Sequence, residues 1–195
     1  MNVLLPMAGT GNRFVVKGYD DPKPLIKANG KPIIEYITGM FSTEDKIIFI
    51  CNEDHINNTD MKQILQELHT NSQIDVVAPH KLGPIYTIMN SLDQIHDDEP
   101  VIISYCDNPL VWDYTHFKEY VTEHNLDGCI LTHSGFHPHT LNNTKMAFLK
   151  VDGIHMTEIK EKECYTDNPM SEHASTGVYY FKSGSILKKY CKLAI

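Results

Sequence analysis

The segment Gly9-Thr10-Gly11-Asn12-Arg13-Phe14 sets two glycines beside a cation, the composition of a loop whose backbone N–H groups approach a phosphate. Of the 17 Lys and Arg residues in the chain, Arg13 is the only arginine. A guanidinium offers phosphate a planar bidentate fork that an ammonium cannot copy. A chain that uses lysine everywhere else therefore points to a need for the fork here; the competing reading is an accident of composition. Three phosphate-loop readings meet at this segment. The P-loop pattern G-x-x-x-x-G-K-[ST] is absent. A dinucleotide fingerprint requires a third glycine where Phe14 stands and a helix directly after it, where irregular residues follow instead. The third reading is a nucleotidyl-transfer loop, whose glycines cradle a triphosphate while its arginine holds the departing pyrophosphate.

Such residues need rigid elements behind them. Val3-Leu4-Leu5, closed by Pro6, reads as a buried strand that delivers the loop. The chain is then expected to stay irregular through Pro22-Lys23-Pro24 to Gly30-Lys31, with Pro32 at the first position of a helix over 32–41. Further strands are expected at 47–51, 74–78, 101–105 and 129–132, and helices at 61–68, 83–94 and 114–123. This alternation predicts an α/β fold with a mixed, mostly parallel sheet flanked by helices. Beyond residue 133 the pattern turns β-rich. Runs at 146–151 and 154–159 flank Asp152-Gly153, a type I′ hairpin signal, before a strand at 174–181 and a closing helix over 183–192. Asp107 follows the fourth strand. In an open α/β sheet ligands bind beyond the carboxyl ends of strands, and a carboxylate there suits Mg2+, which takes oxygen ligands from carboxylates and phosphates. The plainer reading of Asp107 is a turn cap before Pro109.

With 195 residues, 42% hydrophobic and 22% charged, the chain is expected to form one globular domain that buries its core without staples. A net charge of −8 argues against broad nucleic-acid binding. There is no apolar run of transmembrane length, and the N-terminus lacks the basic region of a signal peptide. The cysteines at 51, 106, 129, 164 and 191 form no C-x-x-C pair and fit reduced thiols. A cytoplasmic protein with neither nucleic-acid nor membrane partners is expected.

Leu5 to Phe14, then Pro22-Lys23-Pro24-Leu25, then Gly30-Lys31-Pro32 resemble the signature of the sugar-phosphate nucleotidyltransferases, and the likeness extends over nearly the whole chain. The resemblance implies a Rossmann-like fold of the glycosyltransferase A type. A nucleotide-binding half would span about 1–132 and a β-rich acceptor-binding half about 133–195. The chain stops at Ile195, shorter than many members, so the acceptor half is expected to be cut short at its C-terminus. The implied reaction is in-line attack of a substrate phosphate on the α-phosphorus of a nucleoside triphosphate. Catalysis there is positioning and cationic stabilisation, with no protein nucleophile required. Arg13 and Lys23 become catalytic candidates. Lys23 lies between two prolines that restrict the backbone around it, and its ammonium would bridge the α-phosphate and the incoming phosphate. Ala8, Gly9, Thr10, Gly11, Gly83 and Asp107 become nucleotide-binding candidates, with Asp107 also the ligand of Mg2+, or of Mn2+ in its place. His80-Lys81-Leu82-Gly83-Pro84 resembles the base-recognition turn, where a glycine lets the nucleobase pack close; an ordinary helix start is the alternative. Members often add a second metal carboxylate further on, and Asp167 and Glu172 are polar residues there without motif support.

On the acceptor side, Glu158 to Glu163 resembles the family's short Glu-Lys motif, with Lys162 for the acceptor phosphate and Glu161 for a polar group of the acceptor. A solvated charge run is the plain alternative. Ser175 to Tyr180 resembles a strand with Gly177 beneath the acceptor. His133 to Thr140 departs from the usual sugar-phosphate pattern. Its three histidines lack the ligand spacing of a zinc site, and His137 or His139 is expected to contact an anionic acceptor. The chain thus resembles capsule-biosynthesis cytidylyltransferases, some of which use CTP and load phosphorylated acceptors such as phosphoglutamine. Transfer of a nucleoside monophosphate from a triphosphate, CTP first, to a phosphorylated small molecule is therefore expected. A sugar-1-phosphate uridylyl- or thymidylyltransferase and a non-catalytic nucleotide-binding module are the alternatives. A glycosyltransferase is disfavoured because no Asp-x-Asp follows the fourth strand.

Overall fold

A computed structural model describes residues 1–138 and 146–194. Its strands are β1 (Asn2–Met7), β2 (Lys27–Ala28), β3 (Lys31–Pro32), β4 (Lys46–Asn52), β5 (Ser72–Val77), β6 (Val101–Ser104), β7 (Gly128–His133), β8 (Ala147–Asp152), β9 (His155–Glu161) and β10 (His173–Phe181). Its α-helices are α1 (Asn12–Val15), α2 (Ile33–Thr38), α3 (Glu53–Asn58), α4 (Met61–Leu68), α5 (Gly83–Met89), α6 (Tyr114–Glu123) and α7 (Gly184–Leu193). Eight strands form one sheet in the order β5-β4-β1-β6-β10-β8-β9, with β7 paired to β10. The neighbours β5, β4, β1 and β6 run parallel, while β8 pairs antiparallel with both β9 and β10. The mixed, mostly parallel α/β sheet read from the sequence is the one observed.

Contacts divide the chain into two compact units: residues 1–129 with 179–195, and residues 130–178. In the first unit Ile47 to Cys51 are fully buried, because helices cover both faces of a parallel sheet and leave no polar side. Leu4, Ile48, Ile50, Val101 and Ile103 project from one face into a cluster with Ile88, Leu92, Leu187 and Cys191. β1 sits between β4 and β6, and the chain leaves it in opposite directions: β4 and β5 lie to one side, β6 to the other. The carboxyl ends of β1 and β6 therefore flank the topological switch point, the place where such sheets bind ligands.

Several local expectations are corrected. β1 runs through Pro6 to Met7; pairing with β6 stops at Leu4, so the missing N–H breaks no register pair on that side. The stretch read as irregular holds α1, a 3-10 turn at Lys23–Leu25 and the β2–β3 hairpin. Asn29 and Gly30 turn that hairpin with φ of 51° and 83°, the Asn-Gly pair of a type I′ turn. Pro32 precedes α2 instead of opening it, since its ψ of 142° keeps it extended. α5 stops at Met89, where 3-10-type bonds Asn90 N–H to Thr87 and Ser91 N–H to Ile88 tighten the chain into a separate turn at Leu92–Gln94.

In the second unit Asp152 pairs with His155, so the hairpin turns on Gly153-Ile154, one residue later than expected. Only Gly153 has positive φ, 58°, as in Gly-X type II′ turns.

Candidate active site

β1 hands the chain to Ala8, whose methyl is buried among the core side chains. Ala8 thus offers the loop's surface no side chain, only backbone. Its carbonyl accepts a hydrogen bond from Asn52 Nδ2 at 3.1 Å, while Asn52 Oδ1 accepts from the Asp54 N–H at 2.9 Å and caps α3. Asn52 is 1% exposed and pins the root of the glycine loop to the end of β4. Sequence reasoning missed it. Its signal was an Asn followed by Glu53-Asp54 just past an apolar strand, an N-cap pattern. A Cβ added at Gly9 would meet nothing within 4 Å, so the bare backbone there is open to approach. Gly11 adopts φ 64° at the start of α1, where its carbonyl accepts from the Phe14 N–H at 2.8 Å.

Pro6 and Ala8 to Thr10 form one wall of a 290 Å³ cleft. His80, Lys81, Gly83, Pro84 and Thr87 form the other. Gly83 has φ 89°, a left-handed conformation that strains any other residue, and a Cβ there would project into open space. The base-recognition turn and the glycine loop of the sequence reading thus face each other across one cleft.

The same loop meets a second cluster. Lys23 lies with its Cβ 3.7 Å from where a Gly11 Cβ would stand, and its ammonium sits 5.7 Å from the centroid of the Phe14 ring. It also makes an ion pair with Asp107, 84 residues further along the chain. The segment that follows Asp107 is anchored further along: Trp112 Nε1–H donates to the Met40 carbonyl at 3.2 Å, and the Trp112 ring packs against Phe41, Tyr114 and Phe117. Tyr114 in turn donates to Asp45, which also takes the N-terminal ammonium at 2.8 Å. Both partners of the Lys23–Asp107 pair are partly exposed, and such pairs are worth only about 0–1 kcal/mol. Separating the two side chains therefore costs the fold little. Cys106 beside them is buried, and burial followed by the Asp107 charge pushes its thiol up to about 12. It is a thiol at neutral pH and no nucleophile. Arg13 is exposed on α1 and does not line the cleft.

Within the second unit, Lys162 has a left-handed φ of 62°, its N–H bonded to the Met146 carbonyl at 2.9 Å and its ammonium 3.3 Å from Glu161. Gly177 has φ 81° inside β10, a kink that glycine alone takes without strain. His137 packs its ring 4.9 Å from that of His133. His139 lies outside the described residues. Glu172, weighed above as a metal carboxylate, is taken up by its own loop: it accepts from Tyr165 N–H, Thr166 N–H and Thr166 Oγ1 at 2.6 to 2.9 Å. Burial pushes its carboxyl up, and these hydrogen bonds more than reverse the effect, leaving it below the ordinary value. Among the described residues no group of three or more His, Cys, Asp or Glu side chains is placed to hold a metal ion.

Residues 3–155 match the model of the MobA-like NTP transferase domain. The chain belongs to that family. The resemblance read from the glycine loop and the proline-lysine-proline motif is borne out, and this NTP transferase is an enzyme of the nucleotidyltransferase type. Its fold recurs in a nucleoside-diphosphate-sugar pyrophosphorylase from Vibrio cholerae RC9, at 20% identity and TM-score 0.73, over 98% of this chain and 78% of that one. It recurs in a putative glucose-1-phosphate thymidylyltransferase from Bacillus anthracis, at 19% identity and TM-score 0.73, over 98% and 74%. A UTP-bound UGPase from Acinetobacter baumannii is similar at 16% identity and TM-score 0.70, over 96% and 75%. No curated protein matches the NTP transferase in sequence. Among its described residues no helix is long and apolar enough to cross a membrane.

Proposed function

We propose that this NTP transferase moves a nucleoside monophosphate from CTP to a phosphorylated small molecule and releases pyrophosphate. The observation that carries the reading is the Lys23–Asp107 pair against the glycine loop, at the carboxyl ends of β1 and β6. The base would enter the cleft between Ala8–Thr10 and Gly83, and the triphosphate would follow the loop N–H groups toward Arg13. Asp107 is a hard oxygen donor that fits Mg2+ or Mn2+, which commonly keep one or two carboxylates and take their remaining ligands from phosphates and water. When bound, the ion would neutralise charge on the triphosphate. Lys23, released from Asp107, would bridge the α-phosphate and the attacking phosphate, and Arg13 would hold the departing pyrophosphate. Lys162, Glu161, Gly177 and His137 are the acceptor candidates. The product, a nucleoside-diphosphate conjugate, is an activated donor of the kind that capsule and surface-polysaccharide synthesis consumes.

A second reading, uridylyl or thymidylyl transfer to a sugar 1-phosphate, is favoured by the neighbours, whose names include a thymidylyltransferase and a UTP-bound enzyme. A pyrophosphate-release screen separates the two. It crosses CTP, UTP, dTTP, ATP and GTP with sugar phosphates and amino-acid phosphates, under Mg2+ and under Mn2+. Turnover with CTP and an amino-acid phosphate is expected. Turnover with UTP or dTTP and a hexose 1-phosphate establishes the second reading. No release with any pair overturns both.

A further inference from the structure

The wall of the cleft opposite the glycine loop is held by hydrogen bonds that run in one direction. His80 Nδ1 accepts from the Leu82 N–H at 3.2 Å, so the imidazole proton must sit on Nε2. Nε2 lies 3.0 Å from Thr87 Oγ1, and Thr87 Oγ1 lies 3.3 Å from the Gly83 carbonyl. The polarity closes in only one way: Leu82 N–H to Nδ1, Nε2–H to Oγ1, Oγ1–H to the Gly83 carbonyl. The Tyr86 ring packs edge-on against the imidazole at 4.7 Å, and Thr87 is 3% exposed. Both ends of the chain of bonds grip the turn that holds Gly83 at φ 89°.

We infer that His80 and Thr87 are positioning residues for the nucleobase turn, a clamp that works only with neutral, Nε2-protonated His80. The inference rests on reading the cleft as the nucleotide site. Neither ring nitrogen is left to read a base edge, so His80 sets the shape of the site and does not choose the base by hydrogen bonding. A charged imidazole carries a proton on Nδ1 as well, which faces the Leu82 N–H and breaks the clamp. The other titratable groups beside His80 are Lys81 on the same turn and the Tyr86 phenol on α5; the facing wall, Pro6 and Ala8 to Thr10, contributes none.

The test uses the full chain, with CTP and UTP as probes in the presence of Mg2+, read by equilibrium titration. Thr87→Val and His80→Phe each weaken binding of the better probe by about 5- to 30-fold, the weight of one or two lost hydrogen bonds. The double variant binds no worse than the weaker single, because both act through one network. Thr87→Ser, which keeps the hydroxyl, restores affinity relative to Thr87→Val. Nitrogen-15 spectra of the nucleotide-free wild type show His80 as the neutral Nε2–H tautomer. Normal wild-type binding with unchanged variants, additive losses, or an Nδ1–H tautomer overturns the clamp while leaving the nucleotide site standing. Failure of the wild type to bind any nucleoside triphosphate overturns the site reading and the clamp with it.

Discussion

Two charged residues separate the functional reading from its plain alternatives. If Asp107 holds the divalent cation, Asp107→Asn abolishes turnover while the fold survives, because a neutral amide is a poor ligand for a hard ion. The exposed pair with Lys23 adds about 0–1 kcal/mol, so the melting temperature moves little. Normal turnover in the folded Asn variant would leave Asp107 a turn cap. Arg13 is tested by the substitution that keeps charge and removes the fork. Arg13→Lys is expected to cost about 2–3 kcal/mol at the transition state, a fall in kcat/KM for the triphosphate of about 30- to 150-fold. Stability should hold, since Arg13 is exposed on α1. A Lys variant with wild-type kcat/KM would make the lone arginine an accident of composition. Lys23 and Asp107 were each legible from their flanking prolines and preceding strand. Their pairing was not, because 84 residues separate them and only the sheet order brings them together.

The elements show which local signals were readable. Asn29-Gly30 is among the strongest short hairpin signals a sequence offers, yet two-residue strands carry no alternation to draw attention to it. Asn52 and Thr87 look like ordinary polar residues until a cap and a clamp form around them. α7 depends on close approach in the same way. The Gly184 N–H donates to the Glu99 carbonyl at 2.9 Å, Ser185 N–H to Asp97 at 3.0 Å, and Lys188 Nζ reaches the Ile95 carbonyl at 2.6 Å. A Cβ on Gly184 would collide with the His96 carbonyl oxygen and crowd Ile95. Gly184→Ala is therefore expected to destabilise the protein by about 3 kcal/mol, through overpacking and loss of these bonds. Urea unfolding checks it; a midpoint equal to wild type would mean that α7 shifts freely.

For the molecule as a whole, nucleotide binding is expected to register as stability. A ligand at 100 times its Kd adds about 2.7 kcal/mol to the native state. In a chain of this size that raises the melting temperature by about 5–10 °C. CTP with Mg2+ should produce the largest rise among the common triphosphates, and a chelator should reduce it. Equal rises for every base would remove the support for cytidylyl transfer; a selective rise with UTP or dTTP would favour the second reading.

Periodicity and punctuation along the chain were enough for the α/β class, since buried parallel strands must be apolar runs and helices must be striped. The glycine loop, the proline-flanked lysine and the closing aspartate were likewise visible as residue types at suitable places. What the chain order concealed was every relation across the sheet: β1 between β4 and β6, the Lys23–Asp107 pair, the Asn52 pin on Ala8 and the His80–Thr87 clamp behind Gly83. These are contacts between residues whose neighbours in space are set by strand order and packing, and a hydrogen bond has no periodicity for a linear reading to detect.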